Sequence, residues 1–219
     1  MDLDFLYKKY IKHTVGQKHE PQIQKYIKKQ KGNLFVDVGA NAGMYTSIAL
    51  GRFSRVIAFE PNPDIVPNLE RMSYYNHRLT VFRIALSNKK DFAPFYRNTN
   101  TGSADTLLSS FTYKPSPPKP RWPALPPQTF QSSKNVIQIE TTTYDSMIQD
   151  KADLVKIDVE GAEFLVLEGM RRSIRAGLVR KMLVELHDLN FKKRLETVVA
   201  DFNVTWLTPD HALCEYDLV

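Results

Sequence analysis

Residues Leu34 to Glu60 read LFVDVGANAGMYTSIALGRFSRVIAFE. Leu34–Val38 is a nearly continuous apolar run, as expected of a strand buried on both faces. Gly39 to Gly43 form a glycine-bounded turn, because glycine lets the chain leave a strand sharply and lets backbone approach backbone. Met44–Leu50 then starts a helix, and Arg55–Phe59 is a second buried strand. Strand, glycine turn, helix and strand within one short stretch predict a βαβ unit, and therefore a parallel sheet with helices on its faces.

The pattern continues outward. Pro63 opens a helix over Asp64–Tyr75, and Leu79–Ala85 reads as a third strand. Val136–Thr142 alternates and reads as an extra or edge strand. Leu154–Ile157 is a short buried strand. Glu163–Ala176 is an amphipathic helix with Phe164, Leu167 and Met170 on one side and Gly177 as its stop. Lys181–Leu186 is a strand and Phe191–Asp201 a helix. Val204–Leu207 and Ala212–Leu218 flank the hairpin signal Thr208-Pro209-Asp210-His211. The expected fold is α/β, a Rossmann-like, doubly wound, mostly parallel sheet with a C-terminal antiparallel hairpin.

A chain of 219 residues predicts one domain. Its single cysteine, Cys214, excludes an intramolecular disulfide framework and a multi-cysteine zinc site. The basic excess, +6, is local: residues 1–33 hold eight Lys against Asp2, Asp4 and Glu20, a net +5. That segment is expected to form two short helices, one around Phe5–Ile11 and one around Ile23–Ile27 ended by Gly32-Asn33. The division is thus a basic helical N-terminal extension, 1–33, and a main domain, 34–219, carrying a proline-rich insert at 114–128 that reads KPSPPKPRWPALPPQ. Proline has no backbone N–H and a fixed φ, so the insert is an extended surface loop. No apolar run approaches the ~18 residues of a membrane span or follows a basic start as in a secretory leader, so a cytoplasmic protein without a transmembrane segment is expected.

The turn Asp37-Val38-Gly39-Ala40-Asn41-Ala42-Gly43 is not the three-glycine dinucleotide fingerprint; its two glycines are four apart and an acid precedes them. The loop amides and the helix start can offer donors to a ligand, and a carboxylate at the strand end suits a ligand carrying an ammonium better than a pyrophosphate. Glu60 ends the second strand about 20 residues on, where doubly wound nucleotide-binding folds place an acid for ribose hydroxyls. Ile84-Ala85-Leu86 end the third strand, where small or apolar residues can pack on a purine. Ribose, no pyrophosphate and a cationic amino-acid end together point to S-adenosyl-L-methionine.

The stretches Phe35–Thr46, Phe59–Asn62, Asp153–Glu163 and Val184–His187 resemble the FkbM family of methyltransferases, and Lys156-Ile-Asp-Val-Glu-Gly-Ala-Glu163 is the most family-specific of them. The resemblance implies a class I methyltransferase fold and methylation of hydroxyls on sugars, glycolipids or other small molecules. It places Asn41, Tyr45 and Asn62 with Asp37, Gly39, Gly43, Glu60, Ala85 and Asp158 around the cofactor. The segment Thr101–Leu107 resembles, less closely, the family's glycine-serine stretch, which makes Ser103 a substrate-binding candidate.

Methyl transfer from a sulfonium to an alcohol needs an acceptor held in line and a base for one proton. Open α/β sheets bind ligands at the carboxyl ends of their central strands. Asp158 ends the fourth such strand and is expected to touch the methionine end or the acceptor. Glu160 and Glu163 follow it, as acceptor ligands or as ordinary acids of a helix's first turn. Glu185 and His187 end the fifth strand on alternate residues. His187 has the unperturbed pKa best suited to a base, and Glu185 would orient it or bind acceptor hydroxyls. These groups could also gather a divalent cation. His13, His19, His77 and His211 read as surface residues. Two alternatives stay open, an RNA ribose 2′-O-methyltransferase and a non-catalytic cofactor-binding module. The first lacks the second lysine of the Lys-Asp-Lys-Glu tetrad, whose place holds Glu185 and His187.

Overall fold

The Leu34–Glu60 stretch folds as its pattern predicts. In the computed structural model, which describes residues 20–97, 106–107 and 136–216, β1 (Gly32–Val38) leads through the glycine turn into α2 (Met44–Leu50) and β2 (Phe53–Phe59). Before them lies α1 (Pro21–Lys29). After them come α3 (Val66–Tyr75), β3 (Leu79–Phe82), β4 (Ala85–Leu86), β5 (Asp91–Tyr96), β6 (Val136–Thr142), α4 (Tyr144–Met147), β7 (Leu154–Ile157), α5 (Glu163–Gly169), α6 (Arg171–Arg175) and β8 (Lys181–Glu185). A 3-10 turn at Leu189–Phe191, α7 (Lys192–Val198), β9 (Phe202–Trp206) and β10 (His211–Tyr216) complete the described chain.

Seven strands make the main sheet in the order β3-β2-β1-β7-β8-β10-β9. β1 pairs in parallel with β2 and β7, and β7 with β8. Only β10 runs against its neighbours, pairing antiparallel with β8 and β9. The chain leaves β1 toward β2 and later returns to its other side as β7, so the order reverses there. That reversal opens a crevice at the carboxyl ends of β1, β2 and β7.

Alternation sets the two core layers. Leu34, Val36 and Val38 join Val155, Ile157, Met182 and Val184 on one face. Phe35, Leu154 and Leu183 turn to the other face, where Ile23 and Ile27 of α1 pack fully buried beside Phe53 and Tyr45. These two α1 residues are one helical turn apart, so a single stripe of the helix docks on the sheet.

Two local expectations are corrected, one is narrowed and one strand went unread. The third strand does not run Leu79–Ala85; β3 stops at Phe82, exposed Arg83 interrupts it, and Ala85–Leu86 joins a second sheet of order β4-β6-β5. Val136–Thr142, expected as an extra or edge strand, is an extra one outside the main sheet, and it is the middle strand of the second sheet rather than an edge. Its partner β5 went unread, because Asp91 and Pro94 obscure the strand pattern; β5 is an edge strand, where proline is tolerated. The helix Glu163–Ala176 is two helices. It breaks at Gly169, where a Cβ would stand 2.0 Å from the Ser87 carbonyl oxygen.

At the N-terminus α1 ends at Lys29, and Gly32-Asn33 already belong to β1. The expected first helix, the proline-rich insert at 114–128 and Ser103 lie outside the described residues. Among the described residues no helix is long and apolar enough to cross a membrane.

Candidate active site

The turn after β1 is held by its own amides. Gly39 and Ala40 both donate N–H to the Phe59 carbonyl at 3.0 Å, and Gly43 N–H reaches Ala40 O at 2.9 Å. Asn41 N–H donates to Glu60 Oε2 at 2.8 Å, and Ala42 N–H to Asn41 Oδ1 at 2.6 Å. The expectation that these amides face a ligand is therefore corrected. Gly39, Ala40 and Asn41 tie the loop to the end of β2, and Ala42 and Gly43 close the loop on itself. Gly39 sits at φ 76°, and a Cβ there would lie 1.9 Å from the Asp158 carbonyl oxygen. Only glycine lets β1 and β7 end this close together.

Glu60 accepts from two directions, Asn41 N–H on Oε2 and Asn62 N–H on Oε1 at 2.9 Å. It is almost buried and borders an open cleft. Gly39, Asn41, Ala85, Asp158 and Glu160 border the same cleft. Ile84, Leu86, Phe95 and Leu107 give it an apolar wall drawn partly from the second sheet. The lining combines two carboxylates, Glu60 and Asp158, with an apolar slot, a set of groups that fits a nucleoside with a cationic tail. Asp37, Gly43, Tyr45 and Asn62 stand behind the lining, all buried. Asn62 holds the turn below Glu60 by accepting Asp64 N–H at 2.8 Å.

Behind the cleft lies Lys156, a residue whose role was not read from sequence. Its Nζ donates to Asp158 Oδ2 at 2.9 Å and Gly39 O at 3.3 Å, and lies 3.6 Å from Asp37 Oδ1. It also stands 4.8 Å from the Tyr45 ring centre. Burial alone would lower the ammonium's pKa, but Asp158 and Asp37 outweigh it and raise it above its ordinary value. Burial pushes Asp158 up, and Lys156 and then His187 reverse this, leaving it below its usual value. Asp37, held by Thr46 Oγ1 at 2.6 Å, stays above its usual value because burial dominates. A lysine inside the apolar run Leu154–Ile157 was the available signal.

The carboxyl ends of β7 and β8 converge on His187. Its Nδ1 lies 2.8 Å from Glu163 Oε1. Its Nε2 lies 3.1 Å from Glu160 Oε2, 3.6 Å from Glu185 Oε1 and 3.8 Å from Asp158 Oδ1. Burial would favour the neutral ring, but the bonds to Glu160 and Glu163 prevail and raise its pKa to about 11. That direction favours the imidazolium at neutral pH, which suits a donor and clamp better than the base expected from an unperturbed pKa. Burial pushes Glu160 up as well.

Glu185 is raised to about 7, by burial first and then by Asp158. Its other oxygen, Oε2, lies 3.3 Å from Nε2 of His211. His211 was expected at the surface. It is buried, because β10 inserts beside β8 and sets His211 opposite Glu185. The same Nε2 lies 3.4 Å from Glu20 Oε2, which accepts the Tyr45 hydroxyl.

Asp158, Glu185 and His187 can bring one donor atom each within 4.8 Å, as can Glu20, Glu185 and His211. In both sets every imidazole nitrogen already faces a carboxylate oxygen. The arrangement as it stands is an ion-pair network.

Comparison with known proteins agrees with this architecture. A family model described as the Methyltransferase FkbM domain matches residues 37–210. Hexuronic acid methyltransferase AglP of Haloferax volcanii is 27% identical over 163 residues, covering 72% of this chain and 57% of AglP. The crystal structure of methyltransferase FkbM from Methylobacillus flagellatus superposes with a TM-score of 0.53 at 20% identity, over 84% of this chain and 44% of that one. An rRNA methylase from Streptococcus thermophilus superposes with a TM-score of 0.50 at 9% identity, over 93% and 99% of the two chains. These likenesses show the class I methyltransferase fold. The matched stretches span only about half the length of AglP and of the Methylobacillus protein.

Proposed function

The chain belongs to the FkbM-domain methyltransferase family, and from that premise we propose that it moves a methyl group from S-adenosyl-L-methionine to a hydroxyl oxygen of a sugar-like acceptor. One observation carries this reading. The Glu60-bordered cleft and the Glu185–His187 cluster share Asp158, so a cofactor seated in the first would present its tail to the second.

When bound, S-adenosyl-L-methionine supplies a methyl carbon activated by the sulfonium. Glu60 would accept hydrogen bonds from the ribose hydroxyls, and Ala85 and Ile84 would line the purine slot. Asp158 would face the cationic tail. The acceptor oxygen would take that methyl carbon, with the electron pair of the broken S–CH3 bond left on the departing thioether. The hydroxyl proton passes to Glu185, whose near-neutral pKa suits that transfer. His187, held as a cation by Glu160 and Glu163, would donate to the acceptor or fix those carboxylates. Asn41, Tyr45 and Asn62 would shape the cofactor loop from behind.

The sugar class is supported by the name of the relative AglP and by the sign of this edge. Among the described residues it gathers Glu20, Asp37, Asp158, Glu160, Glu163 and Glu185 against Lys156, His187 and His211. An edge with an acidic excess offers acceptors to hydroxyl donors and disfavours anions, a phosphodiester backbone and a uronate carboxylate alike, so its sign favours the neutral hydroxyl face of a sugar.

The test is transfer of tritium from labelled S-adenosyl-L-methionine into a panel of glucuronic acid, glucose and a short RNA, with cofactor binding measured by calorimetry. Label in either sugar supports the reading, and label in RNA alone replaces the acceptor class. Absence of cofactor binding overturns the reading.

A further inference from the structure

The segment entering α1 reaches into the acceptor side of the site. Glu20 occupies the residue position before α1 at φ 46°, a left-handed conformation that costs a non-glycine residue energy, and its side chain does not cap the helix. That side chain instead accepts the Tyr45 hydroxyl and faces His211 Nε2 at 3.4 Å. His211 is itself oriented from behind, its Nδ1 2.9 Å from Asp210 Oδ1 and 2.9 Å from Thr208 Oγ1. Its Nε2 faces Glu185 Oε2 at 3.3 Å across the β8–β10 pair. The other two non-glycine residues with positive φ among the described residues, Asn41 and Glu160, border the cleft.

We propose that Glu20 and His211 are positioning residues for Glu185, and that the relay Glu20–His211–Glu185 completes the acceptor side of the site. The inference rests on the methyl-transfer reading for its acceptor but on geometry for the relay. A helix cap or a core histidine alone would need neither the strained Glu20 backbone nor a carboxylate on each side of one imidazole nitrogen.

The relay has a signature that packing lacks, because its two members act on Glu185 with opposite sign. Glu185 is faced by Asp158 and Lys156 from β7, His187 beyond β8, Tyr45 from α2, His211 from β10 and Glu20 before α1. His211 holds the Glu185 carboxylate in its charged form, whereas Glu20 opposes that form. Removing His211 should raise the midpoint of Glu185, and removing the Glu20 charge should lower it, each by about one pH unit.

The experiment is an NMR titration of carboxyl-labelled glutamate in the full chain, with Glu185→Gln assigning the resonance. Wild type, His211→Asn and Glu20→Gln are compared, and Glu20→Gln decides the sign if His211→Asn does not fold. A midpoint near 7 in wild type that rises in His211→Asn and falls in Glu20→Gln supports the relay. Midpoints that stay fixed or move together overturn it. Tritium transfer to glucuronic acid and glucose is measured on the same wild-type sample. Transfer without midpoint shifts removes the relay and keeps the methyl-transfer reading. Midpoint shifts in a protein that binds no cofactor remove that reading and keep the relay.

Discussion

Lys156 and Asp158, two residues apart at the end of β7, form a 2.9 Å ion pair between the Glu60-bordered cleft and the core. Their alternate-residue spacing puts both side chains on one side of the strand. The same ammonium faces Asp37 at the end of β1, and Asp37 is fully buried. One cation therefore joins the two central strand ends that border the crevice.

Lys156→Met keeps the length of the side chain and removes its charge. It leaves two carboxylates facing each other at the buried end of the crevice. Breaking a buried pair from one side costs about 3–5 kcal/mol, because the remaining charge keeps its desolvation penalty. Urea denaturation at pH 7 should show a loss of that order. Adding Asp37→Asn to Lys156→Met should recover part of it. A fully stable single variant would show that Lys156 does not hold these strand ends.

Glu60→Ala removes the acceptor for two backbone amides and the carboxylate bordering the cleft. Hydrogen bonds to a charged group contribute about 1.5–3 kcal/mol, equivalent to roughly 10–100-fold in affinity. Calorimetry with S-adenosyl-L-methionine should show a loss in that range. Glu60→Gln separates two effects, since its carbonyl oxygen can keep one amide while its NH2 disturbs the other. Cofactor affinity equal to wild type in both variants would reject the ribose role.

How much of this was legible follows from which partners are local. The β1–α2–β2 unit and Glu60 were readable because continuous apolar runs and a two-glycine turn lie within one stretch. The break at Gly169 was not, because its cause is the Ser87 carbonyl, far away in sequence. Strand β5 was hidden by Pro94, acceptable only because β5 turned out to be an edge. His187 was readable as a strand-end residue, but its charge state depends on Glu160 and Glu163 arriving from the β7 side. His211 and Glu20 carried no local signal at all. They enter the site through the reversed strand β10 and the docking of α1, and neither pairing leaves a spacing to read.

His187 predicts a pH dependence of stability with a definite sign. Its folded pKa, about 11, lies above its ordinary 6.5. A raised folded pKa stabilises the protein fully below the unfolded value and loses that contribution as pH climbs through the folded value. Wild-type stability should therefore decline between about pH 7 and 11 through this group. In His187→Gln that decline should be shallower, though His211, raised to about 10, keeps part of it. Urea midpoints measured at pH 7 and again near pH 10 check this. Parallel declines in the two proteins would mean that the ring is not held as an imidazolium.

Glu185→Gln tests the proton acceptor. The glutamine keeps the shape of the side chain between His187 and His211 but cannot take a proton at neutral pH. General-base contributions are typically 10²–10⁴-fold, so kcat should fall by about that factor while cofactor affinity stays near wild type. The pH profile gives the sharper readout. Glu185 is raised to about 7, so wild-type kcat should climb between about pH 6 and 8 as the carboxyl ionises. That limb should vanish in the variant, leaving a low and nearly flat profile over the same range. If instead the limb persists at reduced amplitude, the titrating base is another group of this edge, and Asp158 and Glu160 become the positions to substitute next.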